Sequence, residues 1–130
     1  MTTFEILFIL GIVGAFPAIA MLALRGRMTE SPLLAAMAAG AFIGFSAVTI
    51  AQQGLLGFVP NHTQDLWGIQ VWYDLVIVVV VALVFIVPRA KAAGMNVLPW
   101  VLAVGCSASI ALLPMVARLF WLEKRAAPAS

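Results

Sequence analysis

Charge is what this chain has least of. Only 9% of its 130 residues are Asp, Glu, Lys or Arg, whereas soluble domains carry about 25%. Hydrophobic residues make up 65%, and the mean hydropathy is +1.15. A small soluble fold leaves roughly a third of its chain surface in water, too much to hide so many apolar groups. Lipid has to solvate the remainder. Cysteine is nearly absent. Cys106 stands alone, which excludes an internal disulfide and disfavours the dithiol chemistry of membrane redox enzymes. It reads as a small buried apolar thiol. Histidine is equally scarce: His62 is the sole one, and with Asp65 it makes too small a set to hold a metal.

Catalytic patterns are missing as well. No serine sits in a nucleophile elbow, and no glycine-rich loop is built to cradle phosphate. Ser107 and Ser109 are expected to bond backbone carbonyls one turn back. The N-terminus has no basic stretch, and Glu5 stands where Lys or Arg would precede a signal sequence, so the first apolar run reads as a membrane helix. No catalytic residue, metal or cofactor is expected. The net charge of +2 does not indicate nucleic acid. The basic residues, Arg25, Arg27, Arg89, Lys91, Arg118, Lys124 and Arg125, sit at the ends of apolar segments, where they anchor and orient membrane helices.

What is present is apolar length. Four stretches, about 4–24, 33–51, 67–87 and 98–121, each approach the roughly 20 residues that cross a bilayer as helix. The expected fold is all-α, a four-transmembrane-helix bundle forming one domain over 1–125, with a short polar tail at 126–130. Pro17 and Pro114 predict kinks in the first and fourth helices. Ser31-Pro32 opens the second with an N-cap and a proline at the first helical position. Ala36, Gly40 and Gly44 recur every four residues on one face of that helix, a small-residue pattern that lets another helix approach, expected first from the same four-helix chain and otherwise from another chain. The long connection from Gly54 to Gln64 is rich in breakers. The β-branched run Val76–Val81 belongs to a segment too long for a strand, and an open sheet edge is not viable in lipid.

Loops one and three carry Arg25, Arg27, Arg89 and Lys91, while loop two has no Lys or Arg. The positive-inside rule places loops one and three in the cytoplasm. In a four-span chain both termini then lie on the other side, against the basic C-terminal end. Ionisable groups inside spans are costly and mark candidate sites. Asp74 is the deepest, with Gln70 one turn before it on the same face. Arg118 near the end of helix four leans toward its own N-terminus and so toward Asp74, which makes an ion pair between them the leading expectation. Glu5, Gln52, Gln53, Gln70, Asp74 and Arg118 are expected to gather at one end as a polar vestibule.

Tyr73-Asp74-Leu75 with the following Val/Leu run to Phe85-Ile86, the basic glycine-containing loop Arg89–Gly94 leading to Leu98-Pro99-Trp100, and Leu113-Pro114 with the charged end Glu123-Lys124-Arg125 resemble a family of small uncharacterised bacterial integral membrane proteins, a domain of unknown function. The resemblance covers roughly residues 70–125. It implies a multi-pass protein of the bacterial inner membrane and transfers no activity. The family's aspartate matches Asp74, and Arg118 departs from its apolar or aromatic pattern. A vitamin K reductase-like fold needs paired cysteines, and a small multidrug exporter needs a glutamate well inside helix one, where Glu5 is only at the edge. The size and the Gly40/Gly44 face point to an accessory or structural subunit that meets partner membrane proteins, or its own copies, in the bilayer. The alternative is an oligomeric transporter or binder of a small solute or lipid with Asp74 as its ionisable centre. An enzyme ranks last, having no nucleophile or metal set.

Overall fold

The computed structural model describes residues 2–26 and 30–127. Among these residues the chain is all-helical: α1 (Thr3–Arg25), α2 (Pro32–Gln53), α3 (Phe58–Thr63), α4 (Leu66–Ala92), α5 (Val97–Ser107) and α6 (Ser109–Ala126). Three of them, α1, α2 and α4, are long and apolar enough to cross a membrane, and α5 is a shorter apolar helix. The chain divides into two compact units, Met1–Glu30 and Ser31–Ser130.

The first unit is α1. Its start is a capping box: Thr2 Oγ1 accepts from the Glu5 N–H at 3.2 Å, and Glu5 Oε2 accepts from the Thr2 N–H at 2.7 Å. Two of the orphan amides of the helix start are satisfied in this way. The helix runs through Pro17 and stops where Gly26 turns left-handed (φ 64°) and donates to the Leu22 carbonyl. None of its residues is buried, as expected of a helix that is apolar all round and meets lipid.

In the second unit Ser31 caps α2, its Oγ accepting from the Leu34 N–H at 3.3 Å, and Pro32 fills the first turn. Within this unit α2 touches only α6. Its covered stripe is Ala35, Ala39, Ser46 and Thr49, with Ala39 buried. The two hydroxyls donate to the Phe42 and Phe45 carbonyls at 2.8 and 3.0 Å, so they enter an apolar contact already satisfied.

The end of α4 is set by a Schellman turn. Gly94 adopts φ +78°, its N–H donates to the Lys91 carbonyl, and the Met95 N–H donates to that of Ala90. Only glycine takes the left-handed position without strain. Met95 thereby folds back onto Ala90, and the two join Val104, Met115 and Leu119 as the core of the unit.

The fourth apolar stretch is not one helix. It breaks at Ala108, where φ is 49° and ψ −120°. Its neighbours Gly105, Cys106, Ser107 and Ser109 are small, weaker helix formers, and the Ser107 hydroxyl donates to the Ala103 carbonyl at 2.8 Å. The expected kink at Pro114 is replaced by this sharper break, and Pro114 lies inside α6. After Ala108 the chain turns back. Val104 and Met115 share one core, and Glu123 near the end of α6 pairs with Arg89 near the end of α4. Thus α5 and α6 form a helical hairpin that returns to the end it left. With 11 residues, α5 reaches about 16 Å, half of the roughly 30 Å hydrocarbon layer.

Three expectations are corrected, the first of them by this hairpin. The end of α6 lies with the α4–α5 turn, not with the α2–α4 connection. The third apolar segment also overruns its expected end at 87, continuing through Pro88 to Ala92 because Ala90 is fully buried in the core. Cys106, read as buried, is exposed on the outer side of α5.

Candidate functional site at the basic end

The start of α2, the end of α4 and the end of α6 converge at one end of the second unit. Arg89 grips Glu123 with two bonds, Nε to Oε1 at 3.1 Å and Nη2 to Oε2 at 2.7 Å. The fork geometry is specific. The side chains are 43% and 31% exposed, so the pair contributes at most about 1 kcal/mol. The Arg89 guanidinium also lies over the Phe120 ring, 5.7 Å from its centroid.

On a neighbouring face of α6, Arg118, Trp121 and Arg125 follow at helical spacing. The guanidinium of Arg118 stands 6.0 Å from the Trp121 ring centroid and that of Arg125 stands 4.5 Å from it. Two cations therefore approach one indole, Arg125 within close cation–π range and Arg118 at its limit. Beside them runs an open groove of about 550 Å³, walled by Ser31, Pro32 and Leu33 of the α2 start and by Trp121, Lys124 and Arg125 of α6.

The opposite end is polar but carries no Lys or Arg. There α3 lies on the first turns of α4. Phe58 stacks with Trp72 at 6.0 Å, and the His62 ring meets Trp72 edge-on at 5.8 Å. His62 Nδ1 bonds the Phe58 carbonyl at 2.7 Å, and since a carbonyl only accepts, Nδ1 carries the proton. Asp65 caps α4 by accepting from the Gly68 N–H at 2.7 Å. Gly68 itself is required by the packing: a Cβ there would sit 2.7 Å from the Asn61 carbonyl oxygen.

Of the six expected vestibule residues, the five in the second unit, Gln52, Gln53, Gln70, Asp74 and Arg118, are not brought together. Gln52 and Gln53 end α2 and Gln70 and Asp74 begin α4, all exposed, but α2 and α4 make no contact that would close a cleft between them. Glu5, in the first unit, completes the capping box of α1 by accepting from the Thr2 N–H. Arg118 is at the other end. Asp74 lies about 22 Å along α4 from Arg89 at 1.5 Å per residue, and Arg118 is little more than one turn from Arg89's partner Glu123. The Asp74–Arg118 ion pair is therefore not formed. Arg118 binds Trp121 instead. Of the expected packing face, Ala36, Gly40 and Gly44 are all exposed, and a Cβ on either glycine would meet nothing within 4 Å. Arg27 of loop one lies outside the described residues.

Sequence reasoning missed Trp121, Glu123 and Ser31 as site residues. The signal for the first was present: Arg118, Trp121 and Arg125 share one helix face by spacing alone. Nothing local pairs Glu123 with Arg89, because that contact needs α6 to turn back. Compared with known proteins, the chain matches no family model, no curated protein and no solved structure.

Proposed function

We propose that this chain is an accessory subunit of a membrane assembly, joined to partner helices through the open face of α2. The observation that carries this reading is the position of Gly40 and Gly44. The stripe that α2 turns to α6 is the neighbouring one, and the glycine face is left with open space around it. Lipid tails are as apolar as leucine, so a bulky apolar face gains little from a partner. A small-residue face gains close backbone approach and dispersion contacts instead. The clustering of Arg89, Lys91, Arg118, Lys124 and Arg125 at one end supports an orientation with that end in the cytoplasm. Arg25 and Arg27 of loop one precede α2 in the sequence and carry the same sign.

Extraction of the full chain in native lipid particles, followed by mass spectrometry, tests the reading. The expected result is a complex with other chains, lost in Gly40→Ile while the chain itself stays folded, since the new side chain enters open space. A wild-type chain that emerges alone overturns it. A second reading, a solute-binding oligomer centred on Asp74, draws on the exposure of Asp74 and Gln70 on an apolar span with no partner in the described residues, a placement that is costly in lipid unless another molecule supplies one. Unchanged binding or transport in Asp74→Asn would remove it.

A further inference from the structure

We infer that the groove between the start of α2 and the end of α6 is a binding site for the headgroup of an anionic phospholipid. The groove opens at the end of a membrane-spanning helix, where headgroups lie. One wall is cationic: Lys124 and Arg125 are both exposed, and Arg118 lies 6.0 Å from the centroid of the Trp121 ring that Arg125 also approaches. An arginine laid against an indole keeps its N–H edge free, and a planar fork of donors suits phosphate oxygens. The other wall offers Ser31, whose oxygen already accepts from the Leu34 N–H, leaving its hydroxyl proton to donate. Leu33 is exposed and Trp121 is 42% exposed, giving the glycerol and the first acyl carbons an apolar bed.

Glu123, the acid next to Lys124 in the sequence, does not neutralise this wall, because it is turned to Arg89 on another face of α6. Charge decides the class of lipid. A zwitterionic headgroup would bring its ammonium group toward Lys124 and Arg125, whereas phosphatidylglycerol brings only phosphate and hydroxyls. Each basic residue near an anionic surface adds a measurable attraction, and the groove adds position to that attraction.

The test uses the full chain in a neutral detergent, with phosphatidylglycerol or phosphatidylcholine added and retained lipid read by native mass spectrometry. Phosphatidylglycerol should be retained roughly tenfold or more over phosphatidylcholine, and the double variant Lys124→Gln/Arg125→Gln should lose about that factor, as expected for two basic groups at an anionic headgroup. Lys91→Gln, which removes an exposed charge at the same end but outside the groove, should leave retention unchanged. Helix content by circular dichroism confirms that each variant is folded. Equal retention of the two lipids overturns the proposal. So does an equal loss in Lys91→Gln, which would mean general attraction to the basic end. Displacement of the lipid by inorganic phosphate at matched concentration would also overturn it, showing a free-anion site in place of a lipid site.

Discussion

Ala108 holds φ 49° and ψ −120°, a conformation in which a Cβ crowds the backbone. A non-glycine residue with positive φ costs on the order of 1–3 kcal/mol where the surrounding structure enforces it. Ala108→Gly should therefore raise the thermal unfolding midpoint in detergent, by about 1 kcal/mol of stability. Ala108→Val should lower it, because a β-branched side chain fits this region still less. The sign of the glycine variant is diagnostic. In a continuous helix the same change would cost about 1 kcal/mol, so a destabilised Ala108→Gly protein would mean that the chain runs straight through this position. The sequence around Ala108 also shows where reading by hydropathy stops. Small, moderately apolar residues keep the average high across the break, and an average carries no information about φ. The capping signals at Ser31-Pro32, by contrast, were legible because the side chain itself performs the cap.

The elements follow from this one residue. The boundaries of α1 and α2 were readable to within about two residues, the ordinary uncertainty of helix ends. The pairing of elements was not, because antiparallel reasoning for the last segment assumed an unbroken rod. That assumption placed Arg118 beside Asp74 and left Glu123 without a role. With α5 and α6 as a hairpin, the ends of α4 and α6 become neighbours, and Arg89 finds Glu123. A double-mutant cycle with Arg89→Gln and Glu123→Gln should give a coupling of about 0.5–1 kcal/mol that shrinks at high salt, as for a partly exposed pair. Absence of coupling at low salt would argue that the two ends are apart. The face of α2 in contact with α6 was also missed, by one position. Glycines mark where a partner can approach, but the covered stripe is set by Ala39 and by Ser46 and Thr49, whose hydroxyls are satisfied within the helix.

For the whole chain, the return of α6 removes a conflict in the distribution of charge. As a fourth span it would have carried Arg118, Lys124 and Arg125 away from the basic loops. As the second arm of a hairpin it brings them to the end that holds Arg89 and Lys91, and the other end of the unit has no Lys or Arg. Cysteine labelling in sealed vesicles tests this directly. In a Cys106→Ser background, single cysteines at Ala93 and Ala126 should react with an impermeant reagent from the same side, and one at Asn61 from the opposite side. Reaction of Ala126 together with Asn61 would restore the four-span arrangement.

The hairpin also makes the Ser31–Ser130 unit unequal through the depth of the bilayer. At 1.5 Å per residue, α2 with 22 residues and α4 with 27 run about 33 and 40 Å, long enough for the full layer, whereas α5 ends about 16 Å in. Four helices stand side by side at the basic end, and beyond the Ala108 tip only α2 and α4 continue. Set in a bilayer, the unit would displace more lipid at its basic end than at the other.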